Sequence, residues 1–453
     1  MTPQKVTPLC ARVTMRASPT CHFQDTHCWL LTPLTSSRLN RPAQFTAAAR
    51  MPAGFHALIA AQFTSGLADN ALLIVAMAYL QERGDPAWWA PMLKLSFTLA
   101  YVLLAPWVGH WADRLPKARL LWGMNLVKAL GTAGLLLGMN PWAAFAVVGL
   151  GAAIYAPAKY GWVTENVPAR ALVRANAWLE VSLVLAILLG VASGGALTAH
   201  APLLRIDALG LPSSGLNAAW LALLALYGLA SCLGVWVPLG QSGARPQALN
   251  TWGLAQDFWA ANCKLWRDPL GGLSLAATSL FWAAGATMQL AVLQWGQDRL
   301  LMPLSQAAYL QATVALGVIC GAAWAARQVP LRLAARGLPL ALLLGLILVA
   351  ASWLRDWRWA VVVMLGVGAL SGYLVVPMNA LLQYRGHRLL SAGRSIAIQG
   401  FNENAGILIG MSAYAVSLQV LPSVVWAMVA LGLSLALGTA LVWWRARRAV
   451  RFW

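Results

Sequence analysis

One stretch constrains this chain more than any other. Residues 55–80 read F-H-A-L-I-A-A-Q-F-T-S-G-L-A-D-N-A-L-L-I-V-A-M-A-Y-L. That is apolar for longer than the roughly 20 residues a helix needs to cross a bilayer. Yet Asp69 and Asn70 sit near its middle. A lone carboxylate in hydrocarbon costs roughly 3 kcal/mol or more, so intramembrane carboxylates face a partner or a wet cavity. The expectation is a protein that moves something along a path built by the remaining spans.

The rest of the chain has the same character. Its 453 residues are 60% hydrophobic and 10% charged, with a mean hydropathy of +0.65. Soluble domains carry about 25% charged residues, so this composition specifies a multi-pass, all-α membrane protein. The net charge of +19 is spread between apolar segments. That pattern orients membrane helices, and no nucleic-acid partner is expected. Cys10, Cys21, Cys28, Cys232, Cys263 and Cys320 show no zinc-type spacing, so free thiols are expected.

Residues 1–50 differ from the remainder of the chain, being rich in Pro, Thr, Ser and Arg, with no helical period. They read as a disordered segment, or as a misassigned start with Met51 as the first residue. Cys21, His22, His27 and Cys28 have no scaffold that would make them a metal site. From Met51 the pattern gives twelve spans, near 55–80, 91–112, 119–139, 142–162, 177–199, 217–238, 272–296, 304–326, 334–354, 358–382, 395–418 and 421–444. The loops after even-numbered spans collect Lys and Arg, for example Arg114, Lys117 and Arg119, or Arg327, Arg332 and Arg336. Loops after odd-numbered spans are poorer in them, which places both termini in the cytoplasm.

The predicted organisation is a bundle over 51–238, a linker over 239–271 and a second bundle over 272–453. In the linker, Trp252, Ala255, Trp259 and Trp266 recur at helical spacing beside Lys264 and Arg267, as in a helix lying on the membrane face. A shift of 220 residues superimposes Pro157 on Pro377, Lys159 on Asn379, Asp69 on Gln289, and Ile187-Leu188-Leu189-Gly190 on Ile407-Leu408-Ile409-Gly410. Duplicated halves of this kind hold transporter sites between them.

Residues 109–120, G-H-W-A-D-R-L-P-K-A-R-L, resemble the loop signature G-x-x-x-D-R-x-G-R-K/R of the major facilitator superfamily between spans 2 and 3. Gly109 allows close helix contact, and Asp113 can cap a helix. Arg114, Lys117 and Arg119 complete the signature, with Pro116 in place of its glycine. The likeness narrows over A-Q-F-T-S-G-L-A-D-N-A-L-L (61–73), Y-A-P-A-K-Y-G (155–161), S-L-F-W-A-A-G (279–285), V-V-P-M-N-A-L-L-Q-Y-R-G (375–386) and N-E-N-A (402–405). Together these resemble the bacterial lysophospholipid transporter branch of that superfamily. The resemblance implies two pseudo-symmetric six-helix bundles. It also implies flipping of lysophospholipids across the inner membrane to the cytoplasmic leaflet, where an acyltransferase–acyl carrier protein synthetase reacylates them.

On this reading Asp69 and Asn70 in span 1, Lys159 in span 4, Gln289 in span 7 and Asn379 in span 10 line the path. Lys128 in span 3 is a candidate path residue or a structural partner of Asp69. Lys159 suits a phosphate as a point charge. Some members of the branch place a basic residue at the position of Gln289, which weakens a phosphate role there. Glu180, Asn402, Glu403 and Asn404 are candidates for pairing between the halves. The tryptophans at span ends, among them Trp88, Trp142, Trp353 and Trp444, read as interfacial anchors. No P-loop, zinc pattern or nucleophile elbow is present, and His56, His110, His200 and His387 lack a catalytic setting, so neither an enzyme nor a cofactor is expected. The alternative is a proton-coupled exporter of drugs or siderophores with Asp69 as proton carrier.

Overall fold

The computed structural model describes residues 51–85, 89–200, 215–239 and 251–451, and their regular structure is entirely helical. The expectations for residues 1–50, Trp88 and the first part of the linker lie outside the described residues. The helices are α1 (Phe55–Glu82), α2 (Trp89–Leu103), α3 (Ala105–Arg114), α4 (Lys117–Leu136), α5 (Pro141–Asn166), α6 (Leu172–His200) and α7 (Asn217–Val235). Next come α8 (Thr251–Arg267), α9 (Pro269–Asp298), α10 (Leu304–Gln328), α11 (Leu340–Ala351), α12 (Trp357–Leu389), α13 (Ala392–Val420) and α14 (Val424–Arg451).

Among the described residues, eight helices are long and apolar enough to cross a membrane, or up to ten if each of two bent pairs counts as one span. Helices α4 and α13 are not among them. These are the helices that carry Asn125 and Lys128, and Asn402, Glu403 and Asn404, inside otherwise apolar runs. Span 2 is not the straight helix expected over 91–112. It breaks at Leu104 into α2 and α3, which meet at 64°. Pro106 stands in the first turn of α3, where its missing N–H and fixed φ suit a helix start rather than a helix interior. Pro157 and Pro377 instead lie inside α5 and α12.

Helix α1 packs on α6 and α7, α4 on α5 and α7, and α2 on α5. Farther along the chain, α9 packs on α12, α13 and α14, α10 on α12, and α11 on α14. The main contacts joining these groups are α3 and α5 with α13, and α6 with α10 and α12. The buried apolar side chains follow the same division. One cluster, with Leu72, Val75 and Trp220, belongs to the first group. Another, with Trp295, Leu344 and Met364, belongs to the second. A third joins the groups at the end that carries the 115–116 turn, through Val108, Trp162, Leu270 and Leu374. Burial at that end therefore binds the two groups to one another as well as internally.

Two glycines of the 220-residue shift make equivalent contacts. A Cβ on Gly190 would lie 2.7 Å from the Leu67 carbonyl oxygen of α1, and one on Gly410 would lie 2.9 Å from Thr287 Oγ1 of α9. Both positions need a hydrogen for the helices to approach this closely.

Candidate functional site

A cavity of about 260 Å³ opens between α2, α3, α5, α6, α9 and α13. Its wall is mostly apolar and aromatic, with Phe97, Tyr101, Tyr160 and Trp282 prominent, and its charged members are Lys159 of α5 and Glu403 of α13. Lys159 is only 7% exposed. Its Nζ lies 4.3 Å from the ring centroid of Tyr160, and among the described residues it makes neither an ion pair nor a hydrogen bond. Asp69 and Glu180 act on it through space, as does Lys128 with the opposite sign. A buried charge without a bonded counter-ion is costly, so Lys159 keeps unmet bonding capacity beside the void.

Glu403 accepts a 2.7 Å hydrogen bond from Gln399 Nε2, which also donates to Asn379 Oδ1 at 3.0 Å. Asn379 is thus buried behind the cavity wall as a support for Gln399. Asn404 lines the cavity and donates to the Gly400 carbonyl of its own helix. Glu180 is buried close to Lys159 and Glu403 but outside the lining.

The carboxylate at the centre of the first span is differently employed. Asp69 Oδ2 lies 2.7 Å from Lys128 Nζ, and Tyr227 donates its hydroxyl to Oδ1 at 2.8 Å. Lys128, 1% exposed, donates also to Ser65 Oγ at 3.0 Å, and the Ser65 hydroxyl donates in turn to Asn125 Oδ1 at 2.7 Å. The face of Tyr155 is 5.1 Å from the ammonium. Asp69 and Lys128 therefore form a satisfied pair tying α1, α4 and α7 together, and neither lines the cavity. Asn70 donates to the Gly66 carbonyl of its own helix. Gln289 is exposed on α9, and its backbone carbonyl accepts from Gln311 Nε2. Lys128 thus takes the structural-partner alternative with Asp69, and Asn70 and Gln289, like Asn379, stand outside the lining of this cavity, where the path was expected. Only a neighbouring helix, not the span itself, decides whether a buried polar group faces a void or a partner.

Below the cavity the two helix groups are bolted at the 115–116 end. Asp113 of the loop signature accepts from the Ser391 hydroxyl, from Gly393 N–H at 2.8 Å and from Arg394 N–H at 3.3 Å. It thereby caps the N-terminus of α13, where a negative charge is favoured. Gly109 and Gly393 meet at this crossing. A Cβ on Gly393 would stand 2.6 Å from Asp113 Oδ1 and 2.8 Å from the Gly109 carbonyl oxygen. Lys117 pairs with Glu165 at 2.7 Å, Arg114 is half-buried and Arg119 is exposed. Asn402, expected between the halves, instead donates to Asn262 of α8 at 2.9 Å and accepts from Trp266 at 3.1 Å. Among the described residues no cluster of His, Cys, Asp or Glu is arranged to hold a metal ion.

The family model described as the Major Facilitator Superfamily matches residues 58–411. A lysophospholipid transporter, LplT, of Shigella boydii is 36% identical over 397 residues, covering 87% of this chain and 96% of its own length. LplT of Escherichia coli O9:H4 matches to the same extent. The chain belongs to the lysophospholipid transporter family of the major facilitator superfamily. Solved transporters share the family's fold at low identity. FucP in its outward conformation superimposes with a TM-score of 0.68 at 14% identity, over 86% of this chain and 98% of that one. The human organic anion transporter MFSD10 gives 0.67 at 15%, with the same coverage.

Membership makes the chain a transporter rather than an enzyme, and seam contacts that were not visible in the sequence then matter. Asn176 of α6 and Gln383 of α12 exchange two amide hydrogen bonds, 2.9 and 2.8 Å, with both side chains buried. Within the second group, Asp268 caps α9 through Gly271 N–H at 2.7 Å and receives Arg385 of α12 at 2.6 and 3.1 Å. A polar residue inside an apolar run was the available signal for Asn176 and Gln383, but nothing in the sequence pairs residues 207 positions apart. Asp268 just before Pro269 was legible as a helix cap.

Proposed function

We propose that this chain carries lysophospholipids across the bacterial inner membrane, delivering them to the cytoplasmic leaflet by alternating access. The substrate class rests on the relatives' names, and the exporter alternative gains no support from them. The observation that carries the reading in the molecule itself is Lys159. It is a buried, unpaired cation in a largely apolar cavity reached by helices of both groups. A phosphate supplies the missing charge, and the apolar wall accommodates the start of a single acyl chain. Glu403, across the cavity on α13, suits the amine of a zwitterionic head. Binding between Lys159 and Glu403 would place the head between the two groups, where its movement can be coupled to theirs.

The same reading takes the helices as twelve spans in two six-helix bundles, 51–238 and 272–453. The equivalent packing of Gly190 and Gly410 supports the duplication, and the basic loops after even spans support cytoplasmic termini. The bolted 115–116 end then faces the cytoplasm, and its opening releases the head there. An acyltransferase–acyl carrier protein synthetase acting on the delivered lysophospholipid is part of the proposal. The test is uptake of labelled lysophosphatidylethanolamine into spheroplasts expressing the wild type, Lys159→Arg or Lys159→Gln. Uptake retained by Arg and lost by Gln is expected. Uptake by Gln at the wild-type rate would overturn the anion-site reading.

A further inference from the structure

Helix α8 presents two faces of different kinds. Leu254, Phe258, Ala261 and Leu265 are buried against Ala105 of α3, Leu275 of α9, Leu382 of α12 and Ile398 of α13. Asp257 pairs with Arg394, and Lys264 Nζ donates to the Leu389 carbonyl at 2.9 Å. The helix therefore stands as a strut over the α3–α13 crossing. Its Leu254, Phe258, Ala261 and Leu265 face packs on protein, which leaves the tryptophans of the linker pattern as the residues that could meet lipid.

A flank of the helix carries Trp252, Trp259 and Trp266, which are 71%, 53% and 43% exposed. Trp259 stacks edge-on against Phe401 of α13 at 5.6 Å and Trp266 donates to Asn402, and the remainder of each ring faces outward. Their spacing of seven residues keeps them on one stripe of an α-helix, with the exposed Cys263 between the last two. Three exposed indoles in a row are not ordinary surface. Lys264 and Arg267, both exposed, lie to one side of the stripe. Arg267 has no ion pair among the described residues. Only Asp268 separates the end of α8 from the first residue of the spanning helix α9, so the stripe begins where the membrane does.

We propose that this outer stripe of α8 is a binding surface for the anionic lipid interface, with its indoles at headgroup depth and Lys264 and Arg267 engaging the negative headgroups. The chemistry fits on both counts. Tryptophan is favoured at the interface, and basic residues close to an anionic surface are drawn to it. Continuity with α9 points to the bilayer rather than to a soluble partner.

The test uses the full chain with its other five cysteines replaced by serine and a nitroxide on Cys263. It is reconstituted in phosphatidylethanolamine vesicles with or without phosphatidylglycerol. Collision rates with oxygen and with a water-soluble nickel chelate report depth. With phosphatidylglycerol the label is expected at headgroup depth, shielded from nickel. Arg267→Gln is expected to move it severalfold toward nickel accessibility only when phosphatidylglycerol is present. Arg267 is the cleaner variant, because Lys264 also holds Leu389. A label equally open to nickel in both vesicles would overturn the proposal. So would protection gained only on adding soluble cell protein, which would assign the stripe to a protein partner. Shielding indifferent to both phosphatidylglycerol and Arg267 would overturn the anionic-lipid assignment.

Discussion

Two lysines of the first helix group show how differently a buried cation can be used. Lys128 and Lys159 are 1% and 7% exposed. Lys128 has Asp69, Ser65 and the face of Tyr155 around its ammonium. Lys159 has the face of Tyr160 and a cavity. The first has its charge fully met while joining three helices. The second keeps bonding capacity that no described side chain meets and that the cavity leaves open. Burial of charge is therefore not itself a mark of function; on the proposed reading, unmet bonding capacity beside a void is.

The largest effect that sharpens this contrast is on transport. Lys159→Gln removes a charge-assisted contact to phosphate, worth about 3 kcal/mol or roughly 100-fold. Spheroplast uptake of labelled lysophosphatidylethanolamine should fall by that order, with the thermal unfolding midpoint in detergent unchanged or higher. A lowered midpoint of the Gln variant with unaltered uptake would make Lys159 a second structural lysine and erase the comparison.

Lys128 should show the reverse. Lys128→Met leaves Asp69 without its cation and is expected to destabilise the fold by about 3 kcal/mol, read as a lower unfolding midpoint. Adding Asp69→Leu removes the orphaned carboxylate and should recover most of that loss. A double variant as unstable as the single one would show that the pair does not explain the residues' burial. The stretch around Asp69 was legible as a span from the first, and so was the need for a partner. What the sequence could not supply was the choice between partner and path. Lys128 lies 59 positions away on a helix whose rotation is set by packing against α5 and α7. The helices were readable because each repeats a local requirement, namely enough apolar residues to cross lipid. The bend at Leu104, the seam pair Asn176–Gln383 and the Asp268–Arg385 pair within the second group were not, because they depend on which helices meet.

At the seam the expected effects are smaller. Gly393→Ala would push a methyl against Asp113 and the Gly109 carbonyl. Cross-linking between cysteines placed on α3 and α13 should therefore fall severalfold, because the crossing no longer closes. Asp113→Asn keeps the shape of the cap but weakens it, by about 1 kcal/mol, and should lower the same cross-linking only modestly. If Asp113→Asn proved the more damaging of the two, charge rather than close approach would govern closure.

The smallest expected effect is at Gln289. The 220-residue shift matched it to Asp69, and sequence placed both on the path. The structure gives the two positions unlike neighbours. Asp69 is held by Lys128 and Tyr227, whereas Gln289 projects from the exposed surface of α9 and, among the described residues, bonds through its backbone alone. Replacing the side chain leaves that carbonyl in place, so Gln289→Ala should change stability by no more than about 0.5 kcal/mol and leave uptake near the wild-type rate. A strong loss of uptake would mean that α9 turns Gln289 toward the substrate in another state of the cycle. The two halves would then share a working position that the present state shows in neither.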